Sequence, residues 1–230
     1  MSTSTAAAIL SIAVPVAFNI AFALLGAWFD YPDILRRPTE EVLDRFRAGG
    51  TRLVLTWWAF MLTAVLLAPL VVLLGISLTE ADNSLLIAGI TVGVLASAVQ
   101  FAGLVRWPFL VPYLARESAD PSVSPAREEA IDVVFQSFNR YLGVGVGEHL
   151  GYGLTGAWSA LTGAAIIQTS ILPAWLGDVG IAAGGALLLC SLEFVGRTGD
   201  RGWKLAERLT PIAYVVWSMW LVAIGIALVT

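Results

Sequence analysis

The placement of positive charge constrains this chain more than any other feature. All 13 basic residues fall in three stretches. Arg36, Arg37, Arg45, Arg47 and Arg52 form the first, Arg106, Arg116, Arg127 and Arg140 the second, and Arg197, Arg201, Lys204 and Arg208 the third. Around them lie apolar runs at about 6–29, 53–77, 85–105, 140–167, 175–195 and 211–229. Each approaches or exceeds the ~20 residues that cross a ~30 Å hydrocarbon core as a helix. The termini and the connections after the second and fourth runs carry no lysine or arginine. A wrong number of spans would scatter the charges over both sides. The positive-inside rule then places the basic connections in the cytoplasm and both termini outside. The expected fold is an all-α integral membrane protein with six transmembrane helices in three hairpins. It forms one domain over residues 1–230, with short cytoplasmic amphipathic helices.

Composition agrees with this reading. The chain is 58% hydrophobic and 13% charged, against about 25% charged in soluble domains. Cys190 is the only cysteine, which excludes an intrachain disulfide and a cysteine metal cluster. The opening MSTSTAAAIL lacks the basic segment of a secretory signal, so the first run is expected to be a retained span.

The connections carry their own signals. Tyr31-Pro32 and Pro38 break the chain after the first run, and Thr39 with Glu40 and Glu41 starts an amphipathic helix. That helix places Val42, Leu43 and Phe46 on the membrane or the bundle, and Gly49-Gly50 ends it. The prolines of WPFLVPYLAR indicate an interfacial segment. A second amphipathic helix follows, with Ile131, Val134, Phe135, Phe138 and Leu142 as its apolar stripe. EEVLDRF at 40–46 and EEAIDVV at 128–134 are alike, which suggests a parallel repeat of hairpins. The nine tryptophans are expected mostly at the interfaces, with Trp158 and Trp217 deeper.

The fourth run holds the candidate site. Glu148 and His149, the chain's only histidine, stand side by side eight and nine residues past Arg140. At ~1.5 Å rise per residue, Glu148 lies on the order of 12 Å inside. Ionisable groups at such depth usually face the bundle interior and mark function. At α-helical spacing Glu148, Tyr152, Thr155, Ser159 and Thr162 form one polar stripe, continued by Val144 and Arg140. Asn19, Thr63, Gln100, Tyr214 and Ser218 on other runs are candidates to complete a pocket. Gly143, Gly147 and Gly151 form a ridge expected to give the tightest helix contact. Glu193 either pairs with Arg197 at i,i+4 or joins Arg140 and Arg106 at a cytoplasmic mouth.

Three readings stay open. Glu148 and His149 bind a small ligand, an ion or a proton; titration of such groups falls near neutral pH. Alternatively they are structural, with Glu148 paired to an arginine such as Arg140 and His149 bonded to a carbonyl, in a non-transporting subunit that packs on a partner. The third reading is a membrane enzyme acting on a lipid-like substrate. It has the least support, because HExxH, a second histidine, a nucleophile elbow and a phosphate loop are all absent. The sequence names no cofactor, metal or catalytic residue. The expected partners are the lipid bilayer, a small molecule or ion, and a further copy or partner subunit, but not nucleic acid.

FDYPDILRRPTEEVLDRF, RWPFLVPYLAR, FNRYLG and GVGVGEHLGYGLTGAW together resemble a family of bacterial multi-span membrane proteins catalogued only as a domain of unknown function. The resemblance implies a bacterial plasma membrane and about six helices. It carries over no activity and no residue roles.

Overall fold

The computed structural model describes residues 2–196 and 202–230. Among them the regular elements are helical. The major ones are α1 (Thr3–Phe29), α2 (Thr39–Ser77), α3 (Asn83–Leu104), α4 (Arg106–Phe109), α5 (Val111–Glu117) and α6 (Pro125–Phe138). A π-helix follows at Asn139–Leu150, then α7 (Gly151–Ile167), α8 (Ala174–Cys190) and α9 (Lys204–Ala227). Five helical runs are long and apolar enough to cross a membrane: α1, α2, α3 with its extension to Glu117, α6 through α7, and α9. The fifth apolar run of the sequence, expected to reach residue 195, is helical only to Cys190 and has 17 residues. At ~1.5 Å per residue that is nearly 26 Å, a few ångströms short of a typical core.

The termini of these helices follow local chemistry. Ser2 accepts a hydrogen bond from the Thr5 N–H at 3.1 Å and caps α1. Asp82 does the same for Leu85 at 3.0 Å in α3. Gly50 interrupts α2 with φ 56°, ψ −153°, a conformation only glycine adopts without strain. It separates an amphipathic leg from the apolar span, as Gly49-Gly50 suggested. The leg does not lie on lipid: Val42, Leu43 and Phe46 are buried in the bundle.

Each long helix packs on its neighbours in the chain, α1 on α2, α2 on α3, α3 on α7, α7 on α8 and α8 on α9, and α9 closes the ring on α1. Contacts between connections sort them into two groups. Arg36 pairs with Glu207 at 2.7 Å, Thr39 bonds Asp132, and Gln136 donates to Thr39 at 2.9 Å. These join the basic segments. Asp82 N–H donates to Gln168 at 3.0 Å and Ser170 N–H to Glu80 at 2.7 Å, joining the two segments without basic residues.

Two apolar clusters fill the ring. One holds Leu67, Leu70, Val71, Trp158, Trp217, Trp220 and Ile224. The other, beside the basic segments, gathers Phe29, Phe46, Trp57, Trp107, Ile131 and Phe135. Trp57 and Trp107 stack there with centroids 4.3 Å apart and planes 8° apart. WPFLVPYLAR therefore contributes Trp107, Val111 and Leu114 to the core. Ile131 and Phe135 of α6 are buried, while Val134 and Phe138 are exposed. Trp57, Trp107, Trp158, Trp217 and Trp220 are all buried and pack within the bundle, while Trp58 and Trp175 are exposed.

The closest helix contact is between α7 and α8. A Cβ on Gly156 would lie 2.5 Å from the Gly184 carbonyl oxygen, and one on Gly163 2.5 Å from that of Gly177. The Gly143–Gly147–Gly151 ridge does pack closely, against Arg106, Gly103 and Gln100. Its nearest backbone approach is only slightly looser: a Cβ on Gly103 would sit 2.7 Å from the Gly147 Cα.

Candidate functional site

The site begins with the winding of the chain before it. Asn139–Leu150 is a π-helix of 12 residues, bonded i to i+5. Such a segment has more residues per turn than an α-helix. The column drawn from Arg140 through Val144 to Glu148 at four-residue steps therefore does not hold here. Arg140 is exposed. Glu148 instead lies in the last turn of the π segment, and Tyr152 in the first turn of α7.

Four polar side chains from four elements converge on this junction. Tyr31, in the turn after α1, Glu148, Tyr152 and Tyr214 of α9 all act electrostatically on one another. The rings of Tyr152 and Tyr214 meet edge-on at 5.3 Å. All four residues are part-buried. Among the described residues, no hydrogen bond or ion pair is formed by the three phenol hydroxyls or the Glu148 carboxylate, and their oxygens are not among the fully enclosed atoms without partners, so each keeps contact with open space. Burial pushes the Tyr31 phenol above its usual pKa; Glu148 pushes the same way, and Arg106 opposes both.

Arg106 is the nearest thing to a counter-charge. Of the charges acting on Glu148 it is the strongest, ahead of Glu193 and Arg36. It is 8% exposed. Its guanidinium donates to the Gly103 carbonyl and, at 3.1 Å, to Asn139 Oδ1, while its Nε has no partner. Arg106 thus stands where Arg140 was expected, but near Glu148 and not paired with it.

His149 has a different role. Its Nδ1 lies 2.7 Å from the Ser191 carbonyl oxygen. A carbonyl only accepts, so Nδ1 carries the proton. The bond ties the π segment to the turn after α8.

The remaining expected residues form cross-links between helices. Gln100 Nε2 donates to Thr155 Oγ1 at 2.9 Å, joining α3 to α7. Asn19 Nδ2 donates to Ser218 Oγ at 2.8 Å and to the Pro15 carbonyl at 2.7 Å. Trp217 Nε1 donates to Ser159 Oγ at 3.0 Å. Thr63, Gln100 and Tyr214 share the lining of a void with room for about one water. The structure therefore brings Tyr152 and Tyr214 to Glu148, and holds Asn19 and Ser218 to each other.

Glu193 is 7% exposed. The charges acting on it are Glu207 and Arg36, and Arg106 is not among them. The suggested pairing with Arg197 lies outside the described residues. No three histidine, cysteine, aspartate or glutamate side chains gather as metal ligands among the described residues.

Tyr31 and Arg36 escaped the sequence reading. Both lie in a proline-bounded turn, where helical periodicity carries no information. The one available signal was a phenol flanked by Asp30 and Pro32 at the end of a span.

No curated protein and no solved structure matches this chain. A family model described as "Domain of unknown function (DUF4386)" matches residues 6–225, nearly the whole sequence. The chain belongs to that family.

Proposed function

We propose that this is a six-span protein of the bacterial plasma membrane that binds a proton or another small ion or ligand at Glu148. In this reading α8 is the fifth span despite its length. The basic segments face the cytoplasm, and both termini lie outside. The grouping of the connections by their mutual contacts supports the two-sided arrangement, and the positive-inside rule gives its direction.

One observation carries the binding reading. Glu148 and three phenols converge from separate elements, and their polar groups have no partners among the described residues. Leaving an ionised carboxylate unpaired in a low-dielectric interior is costly. A bundle made only for packing would pair such a group or replace it. An uncompensated carboxylate at this depth takes up a proton or a cation. The void that Tyr214 lines with Thr63 and Gln100 holds about one water, which suits a proton or small ion better than a bulky molecule. The His149–Ser191 bond and the glycine contacts favour the second reading for their own residues, a scaffold role, but do not account for Glu148.

The test is melting of Glu148→Gln in detergent across a wide pH range about neutrality. With no ion pair to break, the variant melts within ~1 kcal/mol of the parent, as for a typical substitution. The parent's pH dependence disappears in the variant. A loss of about 3–5 kcal/mol at every pH, the cost of breaking a buried pair, rejects the proposal.

A further inference from the structure

Glu193 is a second interior carboxylate, separate from the cluster and nearer the basic segments. It lies in the turn after α8 and is 7% exposed. Its carboxylate makes no hydrogen bond or ion pair among the described residues. Two backbone features fix its place. The His149–Ser191 bond, at 2.7 Å, ties the residue after Glu148 to the residue two before Glu193. The returning chain roofs the carboxylate: Trp203 N–H donates to the Glu193 carbonyl at 2.8 Å, and a Cβ on Gly202 would lie 3.0 Å from Glu193 Oε1.

The charges around Glu193 are coupled to one another. Glu207, whose side chain is 37% exposed, is bound to Arg36 at 2.7 Å. Both act on Glu193, and Glu193 acts in turn on Glu148 and Tyr152. Cys190 of α8 also feels Glu193. From the other side, Glu148 faces Arg106, Arg36, Tyr31, Tyr152 and Tyr214. Glu193 is thus a buried acid, tied to the π segment through the His149–Ser191 bond, that couples both to the surface Arg36–Glu207 pair and to Glu148, which Arg36 also reaches directly.

We propose that Glu193 is the relay through which Glu148 exchanges its proton with solvent at the basic end, beneath the Arg36–Glu207 pair. This rests on Glu148 being a proton site. A hydronium ion gives a proton to the Glu193 carboxylate, and one O–H bond forms as another breaks, leaving water. Glu193 passes the proton through a water to Glu148 and returns to the anion. One proton moves, and no electrons or heavy atoms are transferred.

The experiment follows the carboxyl infrared band after rapid acidification of the purified full chain in detergent. The band lost in Glu148→Gln identifies the Glu148 signal. In Glu193→Gln that signal reaches its full amplitude but rises more slowly, on the order of 100-fold, as for loss of a positioned proton carrier. Glu193→Asp keeps a titrating group there and regains most of the rate. A parent-like rate in Glu193→Gln, or a Glu193→Asp as slow as Glu193→Gln, overturns the relay while leaving Glu148 as a proton site. If no band is lost in Glu148→Gln, the site itself fails, and the relay with it. Should Glu193→Gln not fold, Arg36→Gln carries the test. It strips the exposed positive charge beside Glu193 and changes the rate at which Glu148 is protonated; an unchanged rate overturns the proposal.

Discussion

Alanine at Gly184 and at Gly185, adjacent positions in α8, should have opposite effects on stability. A Cβ at Gly184 would lie 2.5 Å from the Gly156 carbonyl oxygen and 2.8 Å from the Ala160 nitrogen. Both are backbone atoms and cannot rotate away. Ordinary contact starts at 3.4 Å, so α7 and α8 must part by the difference from 2.5 Å, about 0.9 Å. Opening a packed face by ~0.5–1 Å forfeits a quarter to a half of each dispersion contact along it. Overpacking of this kind costs about 1–3 kcal/mol. At Gly185 a Cβ meets nothing within 4 Å. There alanine brings only its better helix propensity, about 0.5–1 kcal/mol. The propensity gain is common to both sites and cancels in the comparison. Gly185→Ala is therefore expected to be more stable than Gly184→Ala by about 1–3 kcal/mol. For a chain of this size that is roughly 2–4 °C of melting temperature per kcal/mol. Thermal unfolding of both variants in the same detergent, followed by circular dichroism, measures the difference. If Gly184→Ala melts at or above Gly185→Ala, the two helices are not this close.

His149→Leu removes the donor to the Ser191 carbonyl, and a buried acceptor left unpaired costs about 1–3 kcal/mol; the melt of the variant should fall by that amount. At the opposite end, the Ser170 N–H and hydroxyl hold the Glu80 carboxyl below its ordinary pKa of 4.5. A carboxyl lowered on folding contributes stability above that ordinary value, and the contribution is lost as pH falls through the folded one. Ser170→Ala removes the hydroxyl but keeps the N–H bond, so it should lower the melt slightly at neutral pH and partly flatten its acid limb, and identical acid limbs in the two proteins would refute the hydroxyl's share of this link. For topology, single cysteines in a Cys190→Ala background give the check: one at Asp82 reacts with an impermeant reagent in intact cells, and one at Arg45 does not.

The features legible in the sequence are those set locally. The segregation of arginines, the kink at Gly49-Gly50 and an acid inside an apolar run all follow from residues close in the chain. Which helices approach most closely did not. Gly156 and Gly163 read as small residues like Gly147, but their contact depends on Gly184 and Gly177 lying opposite, and that pairing is non-local. The polar stripe was drawn at α-helical steps. It held within α7, where Thr155 and Ser159 are buried together, and failed below Glu148, where the winding changes. Arg106 read as a residue in a basic connection, and its burial comes from Gly103 and Asn139, which no periodicity points to.

The π segment explains why the column from Arg140 to Glu148 does not form, leaving Glu148 coupled electrostatically to Tyr31 and Tyr214. Side-chain bonds fix both its ends. Asn139, its first residue, accepts from Arg106 at 3.1 Å; His149, its last residue but one, donates to Ser191 at 2.7 Å. Between these ties a π-helix makes fewer turns than an α-helix of the same length, so the two ends are presented at a different angle. Gly143 lets the segment lie against Arg106, where a Cβ would come within 2.5 Å of a guanidinium nitrogen. Gly147 lets it lie against Gly103. With one face committed to α3 and His149 to the turn after α8, Glu148 turns toward the remaining side of the ring. That side is occupied by Tyr31, Tyr152 and Tyr214. A long π-helix is rare, and shorter ones cluster at functional sites. Here the winding holds an acid away from the arginine nearest to it.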